Sequence, residues 1–434
     1  MRQRKELLRR AQRASGADIA VDQNPGGIRH IDLTHVQRAS SEMARRINRD
    51  IVLELIRENQ PVSRADLSRS SGLQRSTVSQ IVEQLIREKW VREGSIAVSA
   101  RGRRPTMLGL NEELGVLAVD LRPSMATIAV VDLNGRLLSR SQVPISSDPV
   151  AATRLLNECA LRVRNAVPRH SIEGIGISLP GRVDPTTQRL IFAPNLRWPD
   201  FDLKKAIESK MRLPVKMENA ANACLIAELT FGRLDGIRNI VLVTISEGVG
   251  TGIFANGHLI TGDGGRAGEF GHAPIDPNGP LCACGRRGCW EVFASCRAAL
   301  RYHRELQRKS RDITFHDLLL MAEEGNPQAG AALDRQAQQI GRGFGLFIAG
   351  LAPSMILVAG EITGAWSRFG PIIEREATGF TVAGPPPKIL PAHEGEIARL
   401  RGAAALVFQR HWPDRESADL PVTGLVKRTP RFSR

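Results

Sequence analysis

One stretch constrains this chain more than any other: Glu269-Phe270-Gly271-His272, nine further residues, and then Cys282-Ala283-Cys284-Gly285-Arg286-Arg287-Gly288-Cys289. One imidazole and three thiolates complete a tetrahedral zinc shell with no open position, which is the signature of a structural rather than a catalytic ion. Glycines at 285 and 288 let the backbone wrap tightly around such an ion. Six cysteines in 434 residues, three of them within eight positions, do not make a disulfide framework. They imply a metal site in a reducing, cytoplasmic compartment. The alternative is a set of packed free cysteines, which is what Cys159, Cys224 and Cys296 are expected to be, since they carry no ligand spacing.

Charge divides the chain unevenly. The first 110 residues hold 21 basic and 12 acidic side chains, so +9 of the net +15 sits in the first quarter. A basic front on a near-balanced body suggests a polyanion-binding module joined to something that handles an uncharged ligand. Aromatics are only 4% of the chain, so stacking on single-stranded nucleic acid is not the main device. Hydrophobic residues at 42% suffice for a real core. The charged run Met1 to Arg13 lacks the apolar segment of a secretory signal. The uncharged run of 18 residues from Gly343 to Gly360 is read as a buried helix to about Leu351 followed by a buried strand, because internal Gly and Pro break it. No membrane partner is expected.

Residues 1–41 read as a basic, poorly ordered arm. Apolar positions Ile47, Ile51, Val52, Leu55 and Ile56 then recur at helical spacing and stop before Asn59-Gln60-Pro61. Ser63, with Asp66 three residues on, caps a second short helix. Ser71-Gly72-Leu73 turns the chain into a third helix from Gln74 to about Lys89, which buries Val78, Ile81, Val82, Leu85 and Ile86. A hairpin framed by Trp90-Val91 and Thr106 to Leu110 follows, its loop holding Arg101, Arg103 and Arg104. Three short helices and a basic hairpin over residues 42–110 make a winged helix-turn-helix. Its third helix offers Gln74, Arg75, Ser76, Thr77, Ser79 and Gln80 to base edges and phosphates in the major groove, while the Arg-rich tip suits a narrow A·T-rich minor groove. The partner is double-stranded operator DNA, and so small a module needs two copies on a two-fold site, hence a homodimer. Trihelical modules of this size also mediate protein contacts, which is the competing use.

From Gly115 the pattern changes to strands: Val116 to Asp120, Ala126 to Asp132 and Leu137 to Val143, with Asn134-Gly135 as a hairpin turn. The same meander recurs at Ile240 to Ser246, Thr251 to Ala255 and His258 to Ile260, with Asn256-Gly257 at the turn. Two copies of one unit separated by helices predict two related α/β lobes, 111–236 and 237–412, facing a cleft. The second lobe carries the zinc motif, and its final helix is expected to return to the first lobe. Residues 413–434 read as a polar, basic tail.

The motif Glu269-x-Gly271-His272, the Cys cluster with Glu291 two residues beyond it, and the run Glu247-Gly248-Val249-Gly250-Thr251-Gly252 closely resemble the ROK family of repressors and sugar kinases. The resemblance spans about residues 45 to 410, and the winged helix with its Gly102-Arg103-Arg104-Pro105 tip resembles the regulator branch. It implies a two-lobed, actin-like (duplicated ribonuclease H-like) sugar-kinase fold and a sugar site made from Gly181, Asn195, Asn219, Glu269, His272 and Glu291. It also implies structural Zn2+ on His272, Cys282, Cys284 and Cys289. Blander uses stand beside these: Asn219 as a helix cap, Glu291 as an acidic first-turn residue, Asn195 as a turn residue.

A kinase of this family needs a glycine-rich phosphate turn of the pattern Asp-x-Gly-x-Thr, whereas this chain reads Asp120-Leu121-Arg122-Pro123-Ser124. Arg122 replaces the glycine and Pro123 removes a donor N–H. The family's general base follows Glu-Asn; here Glu218-Asn219 is followed by Ala220. A paired glycine near the adenine is replaced by Gly360-Glu361. Losing the base alone costs about 10²–10⁴-fold in rate. The expectation is therefore a non-enzymatic, sugar-responsive repressor of carbohydrate genes that uses no ATP. A sugar kinase retaining a DNA-binding arm and a ligand-independent regulator controlled by a protein partner are the alternatives.

Overall fold

The structure is a computed structural model that describes residues 41–96 and 106–408, apart from 194, 197, 199, 233, 235, 308–311, 382–383, 394 and 396. Residues 1–40 of the expected arm, the wing-tip residues Arg101, Arg103 and Arg104, and the expected tail 413–434 lie outside the described residues.

The front module is built from α1 (Ser41–Asn59), β1 (Val62–Ser63), α2 (Arg64–Ser71), α3 (Arg75–Arg87), β2 (Val91–Ile96) and β3 (Thr106–Leu110). Ser63 Oγ accepts the N–H of Asp66 at 3.2 Å while the Asp66 carboxylate accepts the N–H of Ser63 at 3.2 Å, the reciprocal capping that fixes where α2 starts. The third helix begins one residue later than the pattern suggests, because Gln74 is extended and serves as its N-cap. Its buried stripe is Val78, Ile81, Val82 and Leu85. The three strands form one small sheet in the order β1-β3-β2.

The first lobe follows with β4 (Leu114–Leu121), β5 (Met125–Asp132), β6 (Leu137–Pro144), α4 (Pro149–Asn165), β7 (Ser171–Leu179), β8 (Arg182–Val183), β9 (Leu190–Phe192), α5 (Leu203–Met211), β10 (Val215–Asn219) and α6 (Ala220–Phe231). Its main sheet runs β10-β7-β4-β5-β6, with β4, β5 and β6 antiparallel and β7 and β10 parallel to β4. The second lobe repeats the plan: β11 (Ile240–Ile245), β12 (Val249–Ala255) and β13 (His258–Leu259) are the antiparallel meander. After α7 (Glu291–Ala294), α8 (Cys296–Leu306), α9 (Phe315–Glu323) and α10 (Pro327–Leu351) come β14 (Met355–Ala359), α11 (Trp366–Thr378) and β15 (Lys388–Pro391), both strands parallel to their neighbours. The order β13-β12-β11-β14-β15 is the first sheet's order again. Every residue of the central strands β4 and β11 is buried, as expected of strands covered on both faces. The uncharged run at 343–360 is the end of α10 plus all of β14, and no described helix is long and apolar enough to cross a membrane.

The last described helix, α12 (Ala398–Phe408), is largely buried, and its first residue, Ala398, shares a core with Leu242 and Leu357 of the second sheet. Its Leu400, Ala403, Ala404, Val407 and Phe408 share one core with Val116, Ala118, Ala129 and Val131 of the first sheet and with Val52, Leu53, Ile56, Leu85 and Trp90 of the front module. Phe408 stands edge-on to Trp90 at 6.1 Å and to Phe231 at 6.5 Å. Such pairs are worth about 0.5–1.5 kcal/mol beyond the burial itself. The front module is also pinned by hydrogen bonds: Gln60 Nε2 donates to Asn134 Oδ1 at 2.8 Å while its Oε1 accepts the N–H of Leu110 at 2.9 Å. Asn111, in the short link between β3 and β4, donates to the carbonyl of Lys89 at 2.8 Å. No free linker separates the head from the first lobe.

Candidate functional site

A cavity of about 110 Å³ opens between the lobes, and Gly181, Asn195, Asn219, Glu269, His272 and Glu291 all line it. That is roughly seven to eleven times the ~10–15 Å³ that one buried water needs. The residues arrive from both sheets. Asn219 ends β10 and caps α6 by accepting the N–H of Ala221 at 2.8 Å, while its Nδ2 donates to the carbonyl of Gly181 at 2.7 Å. The blander capping use is therefore real, and the same geometry fixes Asn219 at the cavity wall. Beside it, burial pushes the Glu218 carboxyl up, against the N–H of Asn219 and the amide of Asn222, which hold it down. Asn195 accepts a long bond of 3.5 Å from Arg297, whose Nε also donates to the Glu247 carbonyl, so Arg297 reaches across the mouth of the cleft.

Glu291, the first residue of α7, is buried and accepts the N–H of Val249 at 3.1 Å. A Cβ at Gly248 would collide with that carboxylate, so the glycine run is what lets Glu291 approach the backbone. This ties the glycine run to the cysteine motif at one carboxylate.

His272, Cys282, Cys284 and Cys289 offer one ligand atom each, all within 4.8 Å of one another. Cys282 Sγ is 3.6 Å from His272 Nδ1, and Cys284 Sγ is 3.6 Å from Cys289 Sγ. A tetrahedron built on ~2.3 Å metal–sulfur bonds has edges near ~3.8 Å, so the donor set fits a zinc-sized ion with no fifth place for substrate. The other ring nitrogen, His272 Nε2, lies 3.8 Å from Glu269 Oε2. A histidine fixed between a metal shell and a carboxylate orients both. The remaining cysteines, Cys159, Cys224 and Cys296, are buried and dispersed.

The opposite end of the cavity is different. Asp120, the penultimate residue of β4, is almost fully buried, and its Oδ2 accepts from Arg122 Nε at 2.9 Å. Arg122 also lies 3.6 Å from Glu361. Burial works against its charge, but Asp120, Glu247 and Glu361 outweigh that and raise its pKa. Pro123 and Ala220 line the cavity where the family's phosphate turn and base would stand. Arg399, at the start of α12, enters this wall too, donating to Ser246 Oγ at 2.8 Å and lying 3.5 Å from Asp120 Oδ1. Sequence reasoning missed Arg399. The available signal was a pair of arginines, Arg399 and Arg401, inside an otherwise Ala-, Leu- and Gly-rich segment.

On the front module, Gln74, Arg75, Ser76 and Gln80 are exposed, and Thr77 and Ser79 are partly so. Gln74 makes no side-chain capping bond, and the first turn of α3 holds no acidic residue. The N–H groups at its start therefore have no side-chain anion competing with a phosphate.

A family model described as ROK family matches residues 116–410, and one described as an IclR helix-turn-helix domain matches residues 52–95. The chain is 32% identical over 377 residues to the xylose repressor of Bacillus spizizenii (strain ATCC 23059 / NRRL B-14472 / W23), covering 86% of this chain and 97% of that one. A crystal structure of a ROK family transcriptional regulator, described as a homolog of the E. coli MLC protein, superposes with a TM-score of 0.69 at 28% identity, covering 85% of this chain and 97% of that chain. A ROK family glucokinase from Streptomyces griseus, in complex with glucose and AMPPNP, superposes with a TM-score of 0.63 at 30% identity, covering 68% of this chain and 99% of the enzyme.

Proposed function

The chain belongs to the ROK family, and from that premise we propose that it is a sugar-responsive, DNA-binding transcriptional repressor of carbohydrate uptake or metabolism genes. In this reading the body is a kinase-like sensor that binds its ligand and does not turn it over. The sugar sits on Gly181, Asn195, Asn219, Glu269, His272 and Glu291. Zinc on His272, Cys282, Cys284 and Cys289 would supply no reaction step; bound, it would fix the loop that carries His272 beside Glu269. The DNA-reading groups are Gln74, Arg75, Ser76, Thr77, Ser79 and Gln80 with Arg101, Arg103 and Arg104 of the wing. We assign the protein to the cytoplasm as a homodimer whose two heads span a two-fold operator.

The observation that carries the reading is α12. Its first turn places Arg399 in the cavity wall, and its last residue, Phe408, packs on Trp90 of the head. A ligand that shifts the cleft therefore moves a buried rod whose far end seats the DNA-reading module. The coupling works only if the sugar binds one head arrangement better than the other, because a ligand with equal affinity for both shifts nothing.

The test is operator binding by variants. Arg75→Ala is expected to lose roughly 5- to 150-fold in discrimination between operator and unrelated duplex. Arg103→Ala is expected to weaken binding to every duplex alike and to lower the salt slope by about one. Both variants binding as the parent does would remove the DNA assignment.

A further inference from the structure

Coupling between cleft and head needs a contact that a sugar makes in one lobe arrangement and not in the other. At the back of the cleft the lobes are joined through residues outside the proposed sugar set. Arg122 reaches Glu361 at 3.6 Å, and Arg399 donates to Ser246 Oγ at 2.8 Å. At the mouth the crossing passes through a sugar-site residue. Asn195 comes from the first lobe, in the turn after β9, where the N–H of Leu196 donates to the carbonyl of Ala193 at 3.0 Å. Arg297 comes from the second lobe, in the first turn of α8, and its Nη2 donates to Asn195 Oδ1 at 3.5 Å.

Arg297 is aimed before any ligand arrives. The N–H of its neighbour Cys296 donates to the carbonyl of Ser246 at 2.8 Å, which fastens the start of α8 to the residue that follows β11. Arg297 Nε donates to the carbonyl of Glu247. A guanidinium is a planar fork, so a bond at Nε sets the direction of its remaining N–H groups. The side chain is exposed, so its task is not core packing. Glu247 and Asn195 both line the cavity, and the fork therefore stands at the cavity rim with one anchor on each lobe.

A guanidinium has donors and no acceptor. Asn195 must meet it with Oδ1, which makes the other arm of the amide, Nδ2, the one offered to the cavity. Without Arg297 that preference is gone. A donor at this place pairs with a sugar oxygen acting as acceptor, whereas the carboxylates of Glu269 and Glu291 accept from sugar hydroxyls. Opening the cleft separates Arg297 from Asn195 and releases the amide.

We propose that Arg297 is a positioning residue of the sugar site: it crosses the cleft, fixes Asn195 with Nδ2 toward the ligand, and makes the site complete only when the lobes are closed. The proposal rests on the sugar-sensor reading above and deepens it, since it names the contact through which a sugar prefers one lobe arrangement. A bond of 3.5 Å leaves room for closure, and binding draws the two side chains together.

The test is calorimetric titration of the full chain with a panel of xylose, glucose, mannose, N-acetylglucosamine and N-acetylmannosamine, followed by a double-mutant cycle on the sugar that binds best. Arg297→Met is expected to weaken that sugar at least about fivefold in the parent, and by less than about twofold when Asn195 is already alanine. Arg297→Lys keeps a donor and is expected to bring affinity back to within about threefold of the parent. The sugar-induced change in operator affinity falls in Arg297→Met even at saturating sugar, because the ligand then binds the two lobe arrangements more nearly alike. Equal losses in both backgrounds, as from a lobe clamp that ignores Asn195, overturn the proposal and leave the sensor reading standing. A lysine variant no better than methionine, or a parent-like operator response in Arg297→Met, does the same. No binding by any sugar of the panel overturns the sensor reading itself. Should the methionine variant fail to fold, Arg297→Gln, too short to cross the cleft, takes its place in the cycle with the same expectation.

Discussion

The two ends of the cleft have the same ancestry in the fold and opposite fates. At the end of the His272–cysteine cluster, the glycine run, Glu269, His272 and Glu291 stand together, and each is tied to the next: Val249 to Glu291, Glu291 close to Cys282, His272 between Cys282 and Glu269. At the phosphate end, Arg122, Pro123, Ala220 and Arg399 fill the corresponding wall with a different chemistry. In the proposed reading, binding and turnover are separable within one cavity. In the same reading the sugar is held from both lobes, by Gly181, Asn195 and Asn219 of the first and by Glu269, His272 and Glu291 of the second. Groups that would hold phosphates and take a proton lie on the first lobe, beside the helix that reaches the DNA-reading head.

The sharpest way to break this comparison is at the His272–cysteine cluster. Cys289→Ser, or exhaustive chelation, is expected to lower Tm by about 5–10 °C, because structural zinc sites contribute several kcal/mol or more and a loss of ~5 kcal/mol is that large in a body of roughly 300 residues. An unmoved melt in metal-free protein would mean that the four residues hold no structural ion.

The next effect belongs to the other end. Phe408→Ala removes a fully buried ring between Trp90 and Phe231 and is expected to cost ~3–5 kcal/mol. Beyond that loss, the sugar-induced change in operator affinity should collapse toward none, while sugar binding stays within about threefold. Calorimetric sugar titration and operator binding, measured side by side, separate the two; a preserved sugar response would show that α12 is not the route.

A smaller effect tests the packing between α6 and the segment before α12. Burial raises the Glu228 carboxyl from 4.5 to about 7, despite the N–H of His393 and the charge of Arg401. Its folded form thus holds the proton more tightly than the unfolded chain does. That contribution is present below pH 4.5 and is lost as pH rises through about 7. Glu228→Gln, which keeps an acceptor for His393, is expected to flatten stability between those limits and to stabilise the protein at pH 8 by on the order of 2–3 kcal/mol. Urea melts across that range check the sign.

The smallest expected effect is none. Restoring a carboxylate with Ala220→Asp should leave ATP-dependent sugar phosphorylation undetectable, because Arg122 and Pro123 still occupy the phosphate turn. A recovery of about 10²–10⁴-fold would instead show that the missing base was the only defect.

Much of this was readable in the residues themselves. The strand meanders announced a duplicated lobe because their alternation and Asn-Gly turns are local signals. At Asn134-Gly135 the turn is held by Asp132, which accepts the N–H groups of Asn134 and Arg136. The clustering of His272 with Cys282, Cys284 and Cys289 was legible because these residues lie close together in sequence. The capping box at Ser63 and Asp66 was legible for the same reason. Arg399 and Phe408 were not, since their meaning comes from partners about 280 and 320 residues away, Asp120 and Trp90. Periodicity could show that α12 is buried; it could not show that one of its ends lines the cavity and the other carries the head.

The central claim, that this cleft senses a sugar for a DNA-reading head, is tested most directly by footprinting the full chain on genomic DNA with and without each sugar of the panel. The account predicts protection of two-fold symmetric sites that is lost when the effector is added. Protection that persists unchanged with every sugar, or the absence of any specific protection, would contradict it.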